Sequence, residues 1–130
     1  MAHEGFHEDP NQLSDFAKDY HRIIQSTMEE LEAVDWYNQR AECATDPQAK
    51  AIMEHNRDEE IEHACMGIEW LRQNSPVWDA MLREFLFKDG DIVTHEAQMS
   101  GKGLENNTYD ATKQRFKNRQ QQIRSKRWKY

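Results

Sequence analysis

The sequence predicts an all-α chain. Two long antiparallel helices form a hairpin, a short third helix follows, and pairing with a second copy completes a four-helix bundle. Three observations carry that prediction. Proline follows an acid or serine at Asp9-Pro10, Asp46-Pro47 and Ser75-Pro76, which reads each time as an N-cap and the first helical residue. Between these marks apolar side chains recur at steps of three and four, and no stretch alternates as a strand would. The chain of 130 residues is 37% hydrophobic and 32% charged, with a mean hydropathy of -1.08. That is too polar for a self-sufficient core of this size and typical of amphipathic helices that assemble.

The elements follow in order. Helix 1 is expected at about 10–43, a tight turn at 44–46, helix 2 at 47–73 and helix 3 at 76–87. Asp89-Gly90 then breaks the pattern, and no sustained periodicity continues beyond Thr94. Residues 1–94 are read as one helical-hairpin domain and 95–130 as a basic, disordered tail. No apolar run approaches the ~18 residues of a membrane span, and the polar N-terminus has no signal-peptide core, so a cytoplasmic protein is expected. Cys43 and Cys65 are far apart along the hairpin and belong to no CxxC pair, so both read as free thiols.

Charge divides the chain. Residues 1–98 hold 8 Lys/Arg against 22 Asp/Glu, a net of -14, whereas residues 99–130 hold 9 against 2, a net of +7. An acidic body favours cations and repels nucleic acid.

Two helices joined by so short a turn pack antiparallel, which fixes the residues that share a level. Glu30 and Glu60 each lie 15 residues from Thr45, about 22 Å up their helices at ~1.5 Å per residue. The seam of helix 1 runs Phe16, Tyr20, Ile23, Thr27, Glu30, Val34, Tyr37, Ala41; that of helix 2 runs Ala49, Met53, Asn56, Glu60, His63, Gly67, Trp70. Each seam is uncharged except where Glu30 meets Glu60 and His63. Glu62 falls with His55, Asp58, Cys65 and Glu69 on the outer face. Glu59 also reaches His63 at i+4, so spacing alone leaves Glu59 or Glu60 as the inward acid.

Two buried carboxylates at one level demand a cation or a proton. Arg22, Arg40 and Arg57 are misplaced to neutralise both, so a divalent metal is the natural partner. Glu-x-x-His with a further Glu on the adjacent helix is half of the ligand set of a carboxylate-bridged di-iron bundle, which takes four Glu and two His. Two copies related by a two-fold axis supply the whole set, with Glu60 of each chain placed to bridge. A plain inter-helix polar cluster is the competing reading.

The segments "MEELEAVDWYNQR" (28–40) and "TDPQAKAIMEHNRDEEIEHACMGIEWLR" (45–72) closely resemble the encapsulated ferritins, the ferritin-like cargo of encapsulin nanocompartments. The resemblance covers roughly residues 10–90. It implies a ferritin-like bundle built by homodimers, a ring-shaped decamer of five dimers, and a ferroxidase that passes Fe(III) into an encapsulin shell. It places the ferroxidase ligands on Glu30, Glu60 and His63, with two irons per dimer. Trp36 and Tyr37 match positions flanking the iron centre. Glu29 and Glu32 match outer acids at the mouth of the iron path, where Ca2+ could also bind. The Gly-Ser-Leu-like targeting motif of such cargo is not found: "SGKGLENN" is a faint echo, and residues 113–130 carry eight cations and no acid. No pocket for an organic substrate is suggested. The rival functions are a module that buffers zinc or manganese without turnover, and a helical adaptor whose basic tail binds nucleic acid.

Overall fold

The computed structural model describes residues 5–102 and 113–122, with the side chains of 100–102 outside that description. The described residues are helical, with no strand among them: a 3-10 turn at Pro10–Gln12, then α1 (Asp15–Cys43), α2 (Pro47–Asn74), α3 (Pro76–Phe85) and α4 (Ile92–Lys102). Residues 113–122 form a further helix, α5. No helix among them is long and apolar enough to cross a membrane.

The expected caps act as drawn, with one shift. Asp46 Oδ2 accepts from Ala49 N–H at 2.8 Å and Ser75 Oγ from Trp78 N–H at 3.3 Å, opening α2 and α3. At the first mark Asp9 caps only the 3-10 turn, because Leu13 is extended (φ -83, ψ 138) and ends it. Ser14 then caps α1, accepting from Ala17 N–H at 3.0 Å, so helix 1 starts at residue 15 rather than 10. At the far end α3 stops at Phe85, not 87, because Leu86 is extended (ψ 149) and Phe87 turns left-handed (φ 59).

The chain divides into two compact units, 1–70 and 71–130. In the first, α1 and the body of α2 make the antiparallel hairpin. Partner numbers on α2 fall as those on α1 rise. Phe16 stacks on Trp70 with ring centroids 6.2 Å apart, Thr27 meets Gly67, and Asn38 Oδ1 accepts from Arg57 at 3.1 Å. The helices approach closely at Gly67, where a Cβ would lie 2.1 Å from Thr27 Oγ1. The fully buried apolar residues of this unit are the alanines Ala41 and Ala64. Larger ones stay half-exposed: Leu31, Trp36, Ile52, Ile61 and Met66. Cys43 and Cys65 are exposed free thiols.

The second unit is organised around Asp79 of α3. Its Oδ1 accepts from Arg72 Nη1 at 2.6 Å and Arg83 Nε at 2.9 Å. The helix α4 starts where Asp91 Oδ1 accepts from Thr94 N–H at 3.0 Å. His95 faces Glu84 at 3.1 Å and meets Phe85 edge-on. The tail was expected to be disordered beyond residue 94. Its described parts are instead helical, with Arg115 3.8 Å from Asp79 Oδ2 and Arg119 donating to Gln73. The faint "SGKGLENN" echo lies largely outside the described residues.

Alanine ordinarily stabilises a helix interior over glycine by ~0.5–1 kcal/mol. At Gly67 the sign should reverse. The new methyl must displace Thr27, whose hydroxyl is held by the Ile23 carbonyl at 2.7 Å, so Gly67→Ala should cost about 1–3 kcal/mol in urea unfolding. The double variant with Thr27→Ala should recover most of that loss, a coupling that separates close approach from propensity.

Candidate metal centre

Three side chains converge on the inner face of the hairpin: Glu30 from α1, and Glu60 and His63 from α2. One ligand atom from each lies within 4.8 Å of the other two. Two forces bring them there. Antiparallel register sets Glu30 opposite Glu60, and the i, i+3 spacing sets His63 on the same face as Glu60. The close approach at Thr27 and Gly67 lies one turn away on both helices and draws the backbones together. His63 Nδ1 stands 3.4 Å from Glu60 Oε2 and 3.8 Å from Glu30 Oε2.

The two carboxylates shift each other's ionisation in opposite directions. A hydrogen bond with the Glu60 carboxylate raises the pKa of Glu30 above its ordinary value of 4.5, and burial and the Glu60 charge add to the rise. The same hydrogen bond lowers Glu60, with His63 helping and burial opposing. Glu60 is thus the more readily ionised member. Its Oε2 is buried with no aligned hydrogen bond, although the His63 ring nitrogen lies 3.4 Å away. An ionised oxygen in that position is costly to leave unmet, and a cation meets it. Hard carboxylate oxygens with one imidazole suit Fe(II), Mn(II) or Zn(II).

The ambiguity over Glu59 resolves geometrically. Glu59 Oε1 faces His55 Nε2 at 3.1 Å on the exposed side, away from the cluster. Glu62 is exposed, as expected. Trp36 and Tyr37 lie outside the three-residue cluster, about 10 Å further along α1 at ~1.5 Å per residue. Trp36 is half-exposed, and the ring of Tyr37 lies under the Arg40 guanidinium at 5.3 Å. Glu29 and Glu32 are exposed on α1 and outside the cluster. A recess of about 280 Å3 opens beside the cluster, lined by Ile23, Thr27, Glu30, His63, Met66 and Trp70 among others. It falls below the ~300 Å3 at which pockets for organic ligands begin. Ions and water fit it.

Two predictions test this geometry. In anaerobic metal titrations, Glu59→Ala should keep the affinity of the parent within about twofold, whereas Glu60→Ala should lose roughly a hundredfold or more. The raised pKa of Glu30 means it keeps a proton at pH values where an exposed glutamate has lost one. Metal must displace that proton, so affinity should keep climbing with pH above 4.5, where an ordinary glutamate has already ionised. Calorimetry in buffers of different ionisation heat should detect the released proton there, and Glu30→Gln should remove it.

Comparison with known proteins agrees with this geometry. The sequence model of the EncFtn-like family matches residues 5–89, which contain all three clustered residues. The encapsulated ferritin-like protein of Rhodospirillum rubrum is 53% identical over 91 residues, covering 70% of this chain and 65% of that protein. The ferritin-like protein of Thermotoga maritima is 48% identical over 101 residues, 78% of this chain and 88% of that protein. The chain thus spans just under two thirds of the first relative and most of the second. A crystal structure of a Nitrosomonas europaea protein is similar with a TM-score of 0.66 at 49% identity, covering 68% of this chain and 98% of that one. Sequence and fold agree: the chain belongs to the EncFtn-like family, the encapsulated ferritins.

Proposed function

We propose that the protein is a ferroxidase, oxidising Fe(II) to Fe(III) with O2 at a site completed only when two copies meet. The observation that carries this reading is the half-set of ligands, Glu30, Glu60 and His63, on a hairpin face that is not closed. Their side chains are 30%, 22% and 46% exposed. One chain offers three ligand side chains, and two chains related by a two-fold axis offer the six of a di-iron bundle. The exposed apolar residues support assembly. Ile52 and Ile61 are both about half-exposed and lie nine residues apart. That is two and a half turns at ~3.6 residues per turn, on opposite sides of α2. A hairpin with apolar surface on two sides suits two interfaces, as a ring of dimers requires, and the decamer implied by the family resemblance is our proposed assembly.

Iron is here the substrate. Glu60, with Glu30 and His63, would hold the iron, and its position on the seam suits it to be shared between the ions of the two copies. Glu30 gives up its proton as it takes up a metal. His63 must be neutral to donate its ring nitrogen. Carboxylates favour the ferric product and imidazole keeps affinity for the ferrous substrate, so the set tolerates both oxidation states. The Tyr37 hydroxyl and Trp36 flank the centre from the opposing copy. Exposed Glu29 and Glu32 raise the local concentration of Fe(II), or of Ca2+, at its mouth. The name of the Rhodospirillum rubrum relative supports a place inside an encapsulin shell, which would store the ferric product. The protein would then be cytoplasmic within that compartment, with the shell protein as partner.

An oxygen-consumption assay against protein concentration tests the reading. Activity per chain should fall on dilution as dimers separate, and Glu60→Ala should be inactive at every concentration. Glu32→Ala should change the rate by about two- to tenfold while leaving bound iron intact. Undiminished activity per chain in dilute, light-scattering-verified monomer would contradict a shared site.

A further inference from the structure

The recess beside the metal ligands has two unlike ends. By antiparallel register its lining steps from Glu30 and His63, through Thr27 and Gly67, to Ile23 and Trp70, about 10 Å along the hairpin at ~1.5 Å per residue. Among the described residues, Glu30 and His63 are its only titratable lining groups. Beyond them the wall is largely apolar: the Ile23 side chain, the Met66 thioether and the Trp70 ring, which Phe16 backs with its own ring centroid 6.2 Å away. The Thr27 hydroxyl is already committed, donating to the Ile23 carbonyl at 2.7 Å. Exposed Ser26 supplies the one other hydroxyl of the lining.

Such a wall discriminates between the two substrates of the proposed reaction. A volume of about 280 Å3 admits ions and water, but a cation there must shed water without gaining a ligand until it reaches Glu30. Dioxygen has no charge and no strong hydrogen bonds to give up, so apolar surface suits it. Apolar cavities of about 150 Å3 stay dry and take up small apolar guests such as xenon. The exposed acids Glu29 and Glu32 do not line the recess, so the surface that attracts cations is separate from this one.

We infer that this recess is a binding site for O2, holding the oxidant beside the metal ligands while Fe(II) arrives from the acidic surface. The O2 site rests on the ferroxidase reading and adds the second substrate to it. Ile23 of α1 and Met66 of α2 set its affinity, and neither belongs to the ligand cluster.

Two measurements on the full chain test this. Crystals of the chelator-treated protein under xenon pressure should show xenon between Ile23, Met66 and Trp70, a readout that needs neither iron nor turnover. In oxygen-uptake assays, Ile23→Phe should fill the recess and raise the KM for O2 about three- to tenfold, with the KM for Fe(II) and kcat at saturating O2 held within about twofold. Met66 is 57% exposed and so tolerant of change; Met66→Gln wets the recess and should raise the same constant about two- to threefold. Val77→Gln, at an exposed apolar position outside the recess, should change none of these. A recess that stays empty under xenon overturns the proposal. So does an unchanged KM for O2 in Ile23→Phe or, should that chain not fold, in Met66→Gln. A parallel rise in the KM for Fe(II) overturns it as general damage to the site. A parent chain that oxidises no Fe(II) overturns the ferroxidase reading itself, and the O2 role with it, whatever xenon shows.

Discussion

Two carboxylates meeting at one height of a helix hairpin constrain the rest of this molecule. Contact between them makes Glu30 harder to ionise and Glu60 easier, through the hydrogen bond they share. A metal bound to both offers the stronger compensation. The hairpin is built to enforce the meeting. Gly67 lies one turn beyond His63, and Thr27 lies one turn before Glu30; their close approach keeps the two backbones near enough for short side chains to touch. The small residues Ala41 and Ala64 extend that proximity. The same economy of volume leaves large apolar side chains without cover, which is why the hairpin suits a partner.

The two units solve the problem of an enclosed carboxylate in opposite ways. Asp79 takes two guanidinium bonds from its own chain and needs no ion. The inner oxygen of Glu60 has no aligned donor, and the nearest arginine of this unit along α2, Arg57, bonds to Asn38 and Asp58 instead. Neutralising Glu60 with arginine would have stabilised the single chain and removed the site. Withholding that arginine leaves the site dependent on what arrives from outside.

Much of this was legible in the sequence because it rested on local rules. Proline after an acid or serine marks helix starts, and an apolar seam interrupted at matched heights exposes Glu30, Glu60 and His63. The errors, and the one choice left open, came where two local signals competed or where the partner was distant. Asp9-Pro10 looked like the start of helix 1, but Ser14 is the better-placed cap once Leu13 is extended. The choice between Glu59 and Glu60 turns on about 100° of helix rotation, which a short seam does not fix; His55, four residues before Glu59, was the available clue. The α5 helix carries little apolar periodicity beyond Phe116. Its glutamines, lysines and arginines are good helix formers, and its contacts to Gln73 and Asp79 lie tens of residues away. No spacing rule reaches that far.

The central claim is that iron and association are one event at Glu60. Sedimentation equilibrium of the chelator-treated chain, repeated anaerobically with one Fe(II) per chain, measures this without depending on turnover. Binding to an assembled site should shift dilute protein from monomer toward dimers and larger rings. The shift should be stronger near pH 7 than near pH 5, where the ligands hold protons, and absent from Glu60→Ala. A Glu60→Ala chain that assembles on iron as the parent does, or a parent that binds iron fully while remaining monomeric, would contradict the account.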